Sequence, residues 1–237
     1  MTGAVVLDIE GTTSSTSQVH DVLFPYARRR MAGWVAAHRN TPEVRQILSD
    51  VARAPGITVY DDGAAVQVLE RWSDDDRKAG PLKQLQGLIW AEGYARGELT
   101  GHVYPDTIEA LDLWEERGVR VHIYSSGSVL AQRLWFKHTR YGDLCGRLTH
   151  YFDTVSAGSK TEADSYRNIA SFLRLPPDSI LFASDTVAEL DAARLAGWCT
   201  ALVRRSQEPS GPVAAQGDGR RHPVHPDLVS IAQGREQ

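Results

Sequence analysis

The sequence predicts an α/β protein, a doubly wound and mainly parallel sheet with an inserted all-helical domain. Three observations predict it. Short apolar runs ending in polar residues alternate with stretches of helical period. Turn chemistry follows each apolar run. One connection between strands is far longer than a crossover helix needs.

The first strand is AVVLD, ending at Asp8; VRVHIYSS ends at Ser125 and Ser126, HYFDTVS near Ser156, ILFASD at Asp185, and CTALV follows Gly197. All are brief and rich in β-branched or aromatic residues, as strands buried on both faces are. Between them, residues 107–116 place Ile108, Leu111 and Trp114 at helical spacing before a stop at Gly118, and a second helix runs on from Ser128 with Leu130 and Leu134 on one side.

About 110 residues separate Asp8 from Val119, against the roughly 30 of a whole βαβ unit. The excess sets residues 15–99 apart as an insertion, with residues 1–14 and 100–237 forming the core. The insertion reads as helical. Residues 18–38 contain few breakers, Thr41 and Pro42 supply an N-cap and a first-turn proline for residues 43–51, and residues 83–95 carry Leu85, Leu88, Ile89 and Tyr94. It is expected to form a cap over the carboxyl edge of the sheet. Residues 204–221, rich in Gly, Pro, Ser and Arg, read as a mobile surface loop.

Composition narrows the function classes. The chain has 237 residues, 42% of them hydrophobic, with six Trp, eight Tyr and five Phe, enough for a large core. A net charge of -4 gives no long-range pull toward nucleic acid or an anionic membrane. The longest apolar runs are strand-sized and the N-terminus has no signal-like pattern, so a cytoplasmic protein is expected. Cys145 and Cys199 lie far apart and lack any CxxC or Cys/His spacing, so neither a disulfide framework nor a zinc site is suggested, and both read as small core residues. His222 and His225, set among prolines in RRHPVHP, read as part of a surface turn.

In open α/β sheets ligands bind outside the carboxyl ends of the strands. Asp8, Ser125 and Asp185 all fall on that edge. GTTSS after Asp8 is not a P-loop, having no GxxxxGK[ST] pattern. Asp8 would repel a phosphate unless a cation intervened, and Asp8 with Asp185 offers the hard oxygen ligands that suit Mg²⁺, an ion that also binds substrate phosphate.

Taken together, VVLDIEGTT, IYSSGS, Lys160 and FASDTVAE resemble, in order and over nearly the whole chain, the four motifs of the haloacid dehalogenase superfamily of aspartate-nucleophile phosphatases. DIEGTT, with Glu where most of those phosphatases have Asp, together with LKQLQGLIW and HIYSSGSV, more narrowly resembles the enolase-phosphatases, or acireductone synthases. The resemblance implies a monomer with one Mg²⁺ per subunit and strands in the order three, two, one, four, five. It also implies a small phosphorylated substrate of methionine salvage, 2,3-diketo-5-methylthiopentyl-1-phosphate, enolised and then dephosphorylated; the absence of a nucleic-acid or membrane partner is expected from the net charge.

Carried onto this chain, the resemblance makes Asp8 the nucleophile that forms an aspartyl phosphate. Asp8, Asp185 and the backbone carbonyl of Glu10 would hold the metal, and the Glu10 side chain would serve as acid to the leaving oxygen and base for the water. Ser125 and the backbone of Ser126 and Gly127 would donate to phosphoryl oxygens, Lys160 would add fixed positive charge, and Glu189 would orient metal-bound water. Glu10 is the first candidate for the enolisation base. Lys78, Lys83, Gln84 and Gln86 are candidates for substrate contacts from the insertion, where Trp90 and Tyr94 either pack its core or face the methylthio group.

Plainer readings stand beside these. Asp8 can be a turn carboxylate, Ser125 and Ser126 can cap the next helix, and Glu189 can be a solvated helix residue. A lysine such as Lys160 just before a helix is disfavoured at that positive end unless an anion is near. The competing functions are a phosphatase for another small ester, a dehalogenase, which needs neither metal nor an acid at the Glu10 position, and a non-catalytic binding or regulatory protein on the same fold.

Overall fold

The computed structural model describes residues 2–208 and 221–234. The chain divides into two compact units, one made of Met1–Thr16 with Gly101–Gln237 and the other of Ser17–Thr100.

The first unit is built on a six-stranded sheet of β1 (Ala4–Leu7), β2 (Arg120–Tyr124), β3 (Tyr151–Phe152), β4 (Ile180–Ser184), β5 (Cys199–Val203) and β6 (Val224–His225). Their order is β3-β2-β1-β4-β5-β6 and every pairing is parallel. β1 lies in the middle, with Val6 opposite His122 on one side and Phe182 on the other. All four of its residues are buried, as a strand covered on both faces requires.

Among the described residues this unit also has helices α5 (Pro105–Glu116), α6 (Val129–Lys137), α7 (Ala163–Leu173), α8 (Val187–Leu195) and α9 (Leu228–Ala232), numbered after the four of the second unit below. Tyr124, Phe182, Tyr166, Ile169, Leu190 and Trp198 belong to one buried cluster, in which Tyr166 meets Tyr124, Phe182 and Trp198 edge to face at 5.3–5.6 Å. Burial of such rings, at about 25 cal/mol per Å² of apolar area, is the main force fixing the helices to the sheet.

β6 extends the expected strand order by one. His222 and His225, read from the sequence as part of a surface turn, are instead buried, at 0% and 5% exposure. His222 lies 2.8 Å from Thr200 Oγ1 and 3.2 Å from Asp191 Oδ1. The prolines fit because the segment pairs at a sheet edge, where the Pro223 carbonyl accepts from Leu202 N–H and no donor is asked of its nitrogen. The cysteines also depart from expectation. Cys199 is exposed at the start of β5 and Cys145 half-buried in a short 3₁₀ turn, each with its Sγ 3.4 Å from a backbone carbonyl. Of the segment read as a mobile loop, residues 209–220 lie outside the described residues, while Arg205 and Glu208 before them are buried.

The second unit opens with a π-helical turn, Gln18–Leu23, that runs into α1 (Phe24–His38), followed by α2 (Pro42–Ala52), α3 (Asp62–Asp74) and α4 (Gly80–Ala95). Thr41 caps α2 through Val44 N–H at 3.4 Å, with Pro42 in the first turn, and Asp61 caps α3 through Ala64 N–H at 2.7 Å. Each helix buries one side, such as Val44, Ile47, Leu48 and Val51 of α2 and Ala65, Leu69 and Trp72 of α3. Among the described residues no helix is long and apolar enough to cross a membrane.

One core residue makes stability depend on pH. His122 on β2 is fully buried, stacked on His150 with centroids 5.3 Å apart, and among the described residues neither ring nitrogen has a hydrogen-bond partner. Burial, with His150 and Arg120 adding, pushes its pKa down to about 4. Below the unfolded value of about 6.5 the unfolded chain takes up a proton that the folded chain refuses, so stability falls with falling pH until about 4. Thermal melts of wild type and His122→Leu between pH 7 and 4 are expected to diverge in favour of the variant, by about 1.4 kcal/mol per pH unit inside that window. Parallel curves would show that His122 does not carry the effect.

Candidate active site

At the carboxyl edge of the sheet the chain turns sharply after β1. The Ile9 carbonyl accepts from the amides of Thr12, Thr13 and Ser14 at 2.9–3.2 Å, and Thr13 Oγ1 donates to the Asp8 carbonyl at 3.1 Å. This tight loop presents Asp8 and Glu10 on one side. Gly11 sits at φ +71°, a conformation that favours glycine, and a Cβ there would come within 2.7 Å of Asp185 Cγ. Asp185, at the end of β4, is tied to the same loop by its own N–H, which donates to Thr12 Oγ1 at 3.1 Å.

Asp8, Glu10, Ser125, Ser126, Lys160, Asp185 and Glu189, with Thr16 and Thr186, line one cavity of about 230 Å³. Residues as distant in sequence as Asp8 and Lys160 meet there. Lys160 Nζ lies 2.5 Å from Asp8 Oδ1 and 2.6 Å from Glu189 Oε2, and the Lys160 and Asp8 side chains are both less than a tenth exposed. Beneath the ammonium are the rings of Tyr124 and Phe182, each with its centroid 5.8 Å away. Tyr166 Oη donates to the Lys160 carbonyl at 2.7 Å, and Ser184 Oγ donates to Glu189 Oε2 at 3.0 Å.

The electrostatics follow from burial. Desolvation pushes the Asp8 carboxyl up to about 7, Glu189 and Asp185 adding to the rise while Lys160 opposes it. Burial by itself would discharge Lys160, but the adjoining Asp8 and Glu189 outweigh it and raise its pKa, so the ammonium stays charged.

The loop after β2 is arranged differently from the sequence reading. Ser125 is buried, and its Oγ accepts from Gly127 N–H at 3.2 Å. Gly127 is not among the lining residues, unlike Ser125 and Ser126. Ser128, rather than Ser125 or Ser126, caps α6 through Ala131 N–H at 3.3 Å. Gln132, at 2% exposure, donates to the carbonyls of Gly127 and Phe152 and fixes the loop from behind.

Within the inserted unit, Gln86 is buried, Trp90 donates to the Leu23 carbonyl at 2.9 Å and stacks on Phe24, and Tyr94 is buried. Lys78 is exposed and paired with Asp76 at 2.8 Å; Lys83 is half-buried and Gln84 exposed. Sequence reading did not single out Gly11, Thr12, Thr186 or Arg205 as site residues. Of these Gly11 alone carried a local signal, a glycine directly after the second strand-end carboxylate.

A central strand ending in a buried carboxylate that meets a lysine, on a parallel sheet interrupted after β1 by a helical unit, defines a class of doubly wound α/β proteins distinct from the P-loop proteins. The haloacid dehalogenase-like hydrolase family matches residues 2–197. Proteins named enolase-phosphatase E1 are similar over most of the chain: that of Streptomyces avermitilis is 51% identical over 87% of this chain and 86% of its own length, and that of Frankia alni 52% identical over 86% of each. The crystal structure of the UTR4 protein of Saccharomyces cerevisiae, 34% identical, superposes with a TM-score of 0.80 over 96% of this chain and 98% of that one. The chain belongs to the haloacid dehalogenase-like hydrolases, and within them to the enolase-phosphatase family.

Gly11→Ala should strain the loop and displace Asp185, because φ +71° disfavours a side chain and the space is taken. Urea denaturation is expected to show a loss of about 1 kcal/mol or more. An unchanged midpoint would mean that the loop has another conformation open to it.

Proposed function

We propose that the protein is a Mg²⁺-dependent enolase-phosphatase that converts 2,3-diketo-5-methylthiopentyl-1-phosphate to acireductone, 1,2-dihydroxy-3-keto-5-methylthiopentene, and phosphate in methionine salvage. The observation that carries this reading is the buried 2.5 Å contact of Asp8 with Lys160 in a cavity that also holds Asp185, Glu10 and Ser125. The names of its half-identical relatives support the substrate assignment.

The donor set fits a hard divalent cation. Among the described residues no group of three or more His, Cys, Asp or Glu side chains is placed to hold a metal. Mg²⁺ does not need one, since it binds through one or two carboxylates and keeps waters and substrate phosphate as its other ligands. Asp8, Asp185 and the Glu10 carbonyl would hold it. Burial raises the Asp8 pKa, and the carboxylates of Glu189 and Asp185 in the same cavity add to the rise against the single Lys160 ammonium, an excess of negative charge that a cation would offset. When bound, the ion neutralises that excess and polarises the phosphoryl group.

The remaining work falls to side chains. Asp8 attacks phosphorus as the bond to the ester oxygen breaks, and Glu10 protonates the departing oxygen. Glu10 then takes a proton from the water that hydrolyses the aspartyl phosphate and frees Asp8. Lys160, fixed by Glu189, and Ser125 with Ser126 stabilise the transferring phosphoryl group. Glu10 is also our first candidate for removing the proton in the enolisation. We further infer a cytoplasmic monomer, and one with no nucleic-acid or membrane partner; the net charge of -4 supports the absence of such partners.

The test is to supply the diketo phosphate with Mg²⁺ and follow enol and free phosphate separately. Asp8→Asn is expected to lower phosphate release by roughly three orders of magnitude or more. Glu10→Gln should slow both steps, and undiminished enolisation would remove Glu10 from that role. Asp185→Asn should weaken Mg²⁺ binding measured by calorimetry. Phosphate without an intervening enol, or idle enzyme beside good turnover of another phosphate ester, would replace the substrate assignment with a related phosphatase.

A further inference from the structure

We propose that Arg205 is a positioning residue for the loop that carries the nucleophile, an inference that rests on reading Asp8 as that nucleophile. Arg205 follows β5, is 3% exposed and is absent from the cavity lining, so it stands behind the reacting groups. Its guanidinium makes two hydrogen bonds to one carbonyl, that of Thr12, from Nε at 2.9 Å and Nη2 at 2.7 Å. The other edge of the fork is held bidentately by Asp106 at 2.8 Å to each oxygen. The Tyr104 ring covers its face, 4.0 Å from centroid to Cζ.

Thr12 is the residue through which both acidic arms of the site are joined. Its N–H closes the turn onto Ile9, its Oγ1 accepts the Asp185 amide, and its carbonyl points to Arg205. Thr12 is fully buried, so losing the guanidinium leaves its carbonyl unsatisfied and the Asp106 carboxylate unpaired. A turn relaxing to recover those bonds shifts Asp8 and Glu10 relative to Asp185. Ser125 belongs to a separate loop held by Gln132.

That separation predicts a kinetic split. Moving the nucleophile off line lowers the rate of phosphoryl transfer, whereas binding of the ester through Ser125 and Lys160 is kept. A Lys side chain cannot reproduce the fork, because it is a point charge without parallel donors.

The experiment uses the full chain with Mg²⁺ and p-nitrophenyl phosphate as probe, with Arg205→Lys and Asp106→Asn as variants, the latter keeping the guanidinium but weakening its brace. We expect kcat to fall by about 10- to 100-fold with KM changed by no more than about twofold. Hydrogen exchange at the amides of Thr12, Thr13, Ser14 and Asp185 should quicken, with the amides of β2 and Ser125 unaffected. A kcat within about twofold of wild type in a cooperatively melting variant would overturn the proposal, as would exchange quickened across the whole sheet. Should Arg205→Lys fail to fold, Asp106→Asn supplies the same two readouts. Should the wild type hydrolyse no phosphate ester, the functional reading fails, while the exchange pattern still decides whether Arg205 holds the loop.

Discussion

The site depends on one buried ammonium. Lys160 is 7% exposed and pinned between Asp8 and Glu189, and loss of that ammonium would leave two carboxylates without their counter-charge, a break that typically costs about 3–5 kcal/mol. A buried ion pair of this kind is weak evidence for stability, since well-packed apolar residues would serve as well. Its value is positional. The side chain crosses the space between the end of β1 and the N-terminal end of α8, so the three segments bearing Asp8, Lys160 and Glu189 come to a common point.

The parallel sheet makes that meeting possible. With β1 between β2 and β4, the strand ends carrying Asp8, Ser125 and Asp185 lie side by side, and register fixes Leu7 against Ile123 and Ala183. Parallel neighbours deliver all their carboxyl ends to one edge, which hairpins do not. Asp8 N–H still bonds the Ala183 carbonyl and Ser125 N–H the Phe152 carbonyl, so these residues are held by the sheet's ladder rather than by mobile loop.

This explains which parts were legible in the sequence. Asp8, Ser125 and Asp185 were found because each directly follows a short β-branched or aromatic run, a local signal with a local cause. Lys160 has no such marker: it stands in a loop before α7 and was reached through the motif resemblance, its bond to Asp8 spanning 152 residues. Arg205 and His222 were misplaced for the opposite reason. The Arg, Pro and Gly content around them suggests solvent, but composition cannot register that one neutralises Asp106 and the other bridges Thr200 and Asp191. Gly127 shows the same limit, since its N–H looked available for phosphate until Ser125 Oγ was seen to accept it.

The reacting side chains and the groups that hold them are therefore drawn from different elements. Strand ends supply the carboxylates, whereas the loops between them are fixed from behind by Thr13 on the Asp8 carbonyl, Thr12 on the Asp185 amide and Gln132 on Gly127. None of these bonds spends an atom of the carboxylates that face the cavity. Phosphoryl transfer asks little covalent chemistry of a protein beyond a nucleophile and a proton carrier, and most of its acceleration comes from position and charge. A loop held through carbonyls, amides and hydroxyls keeps its own bonds out of the phosphoryl transfer, so the turn need not rearrange as the reaction proceeds.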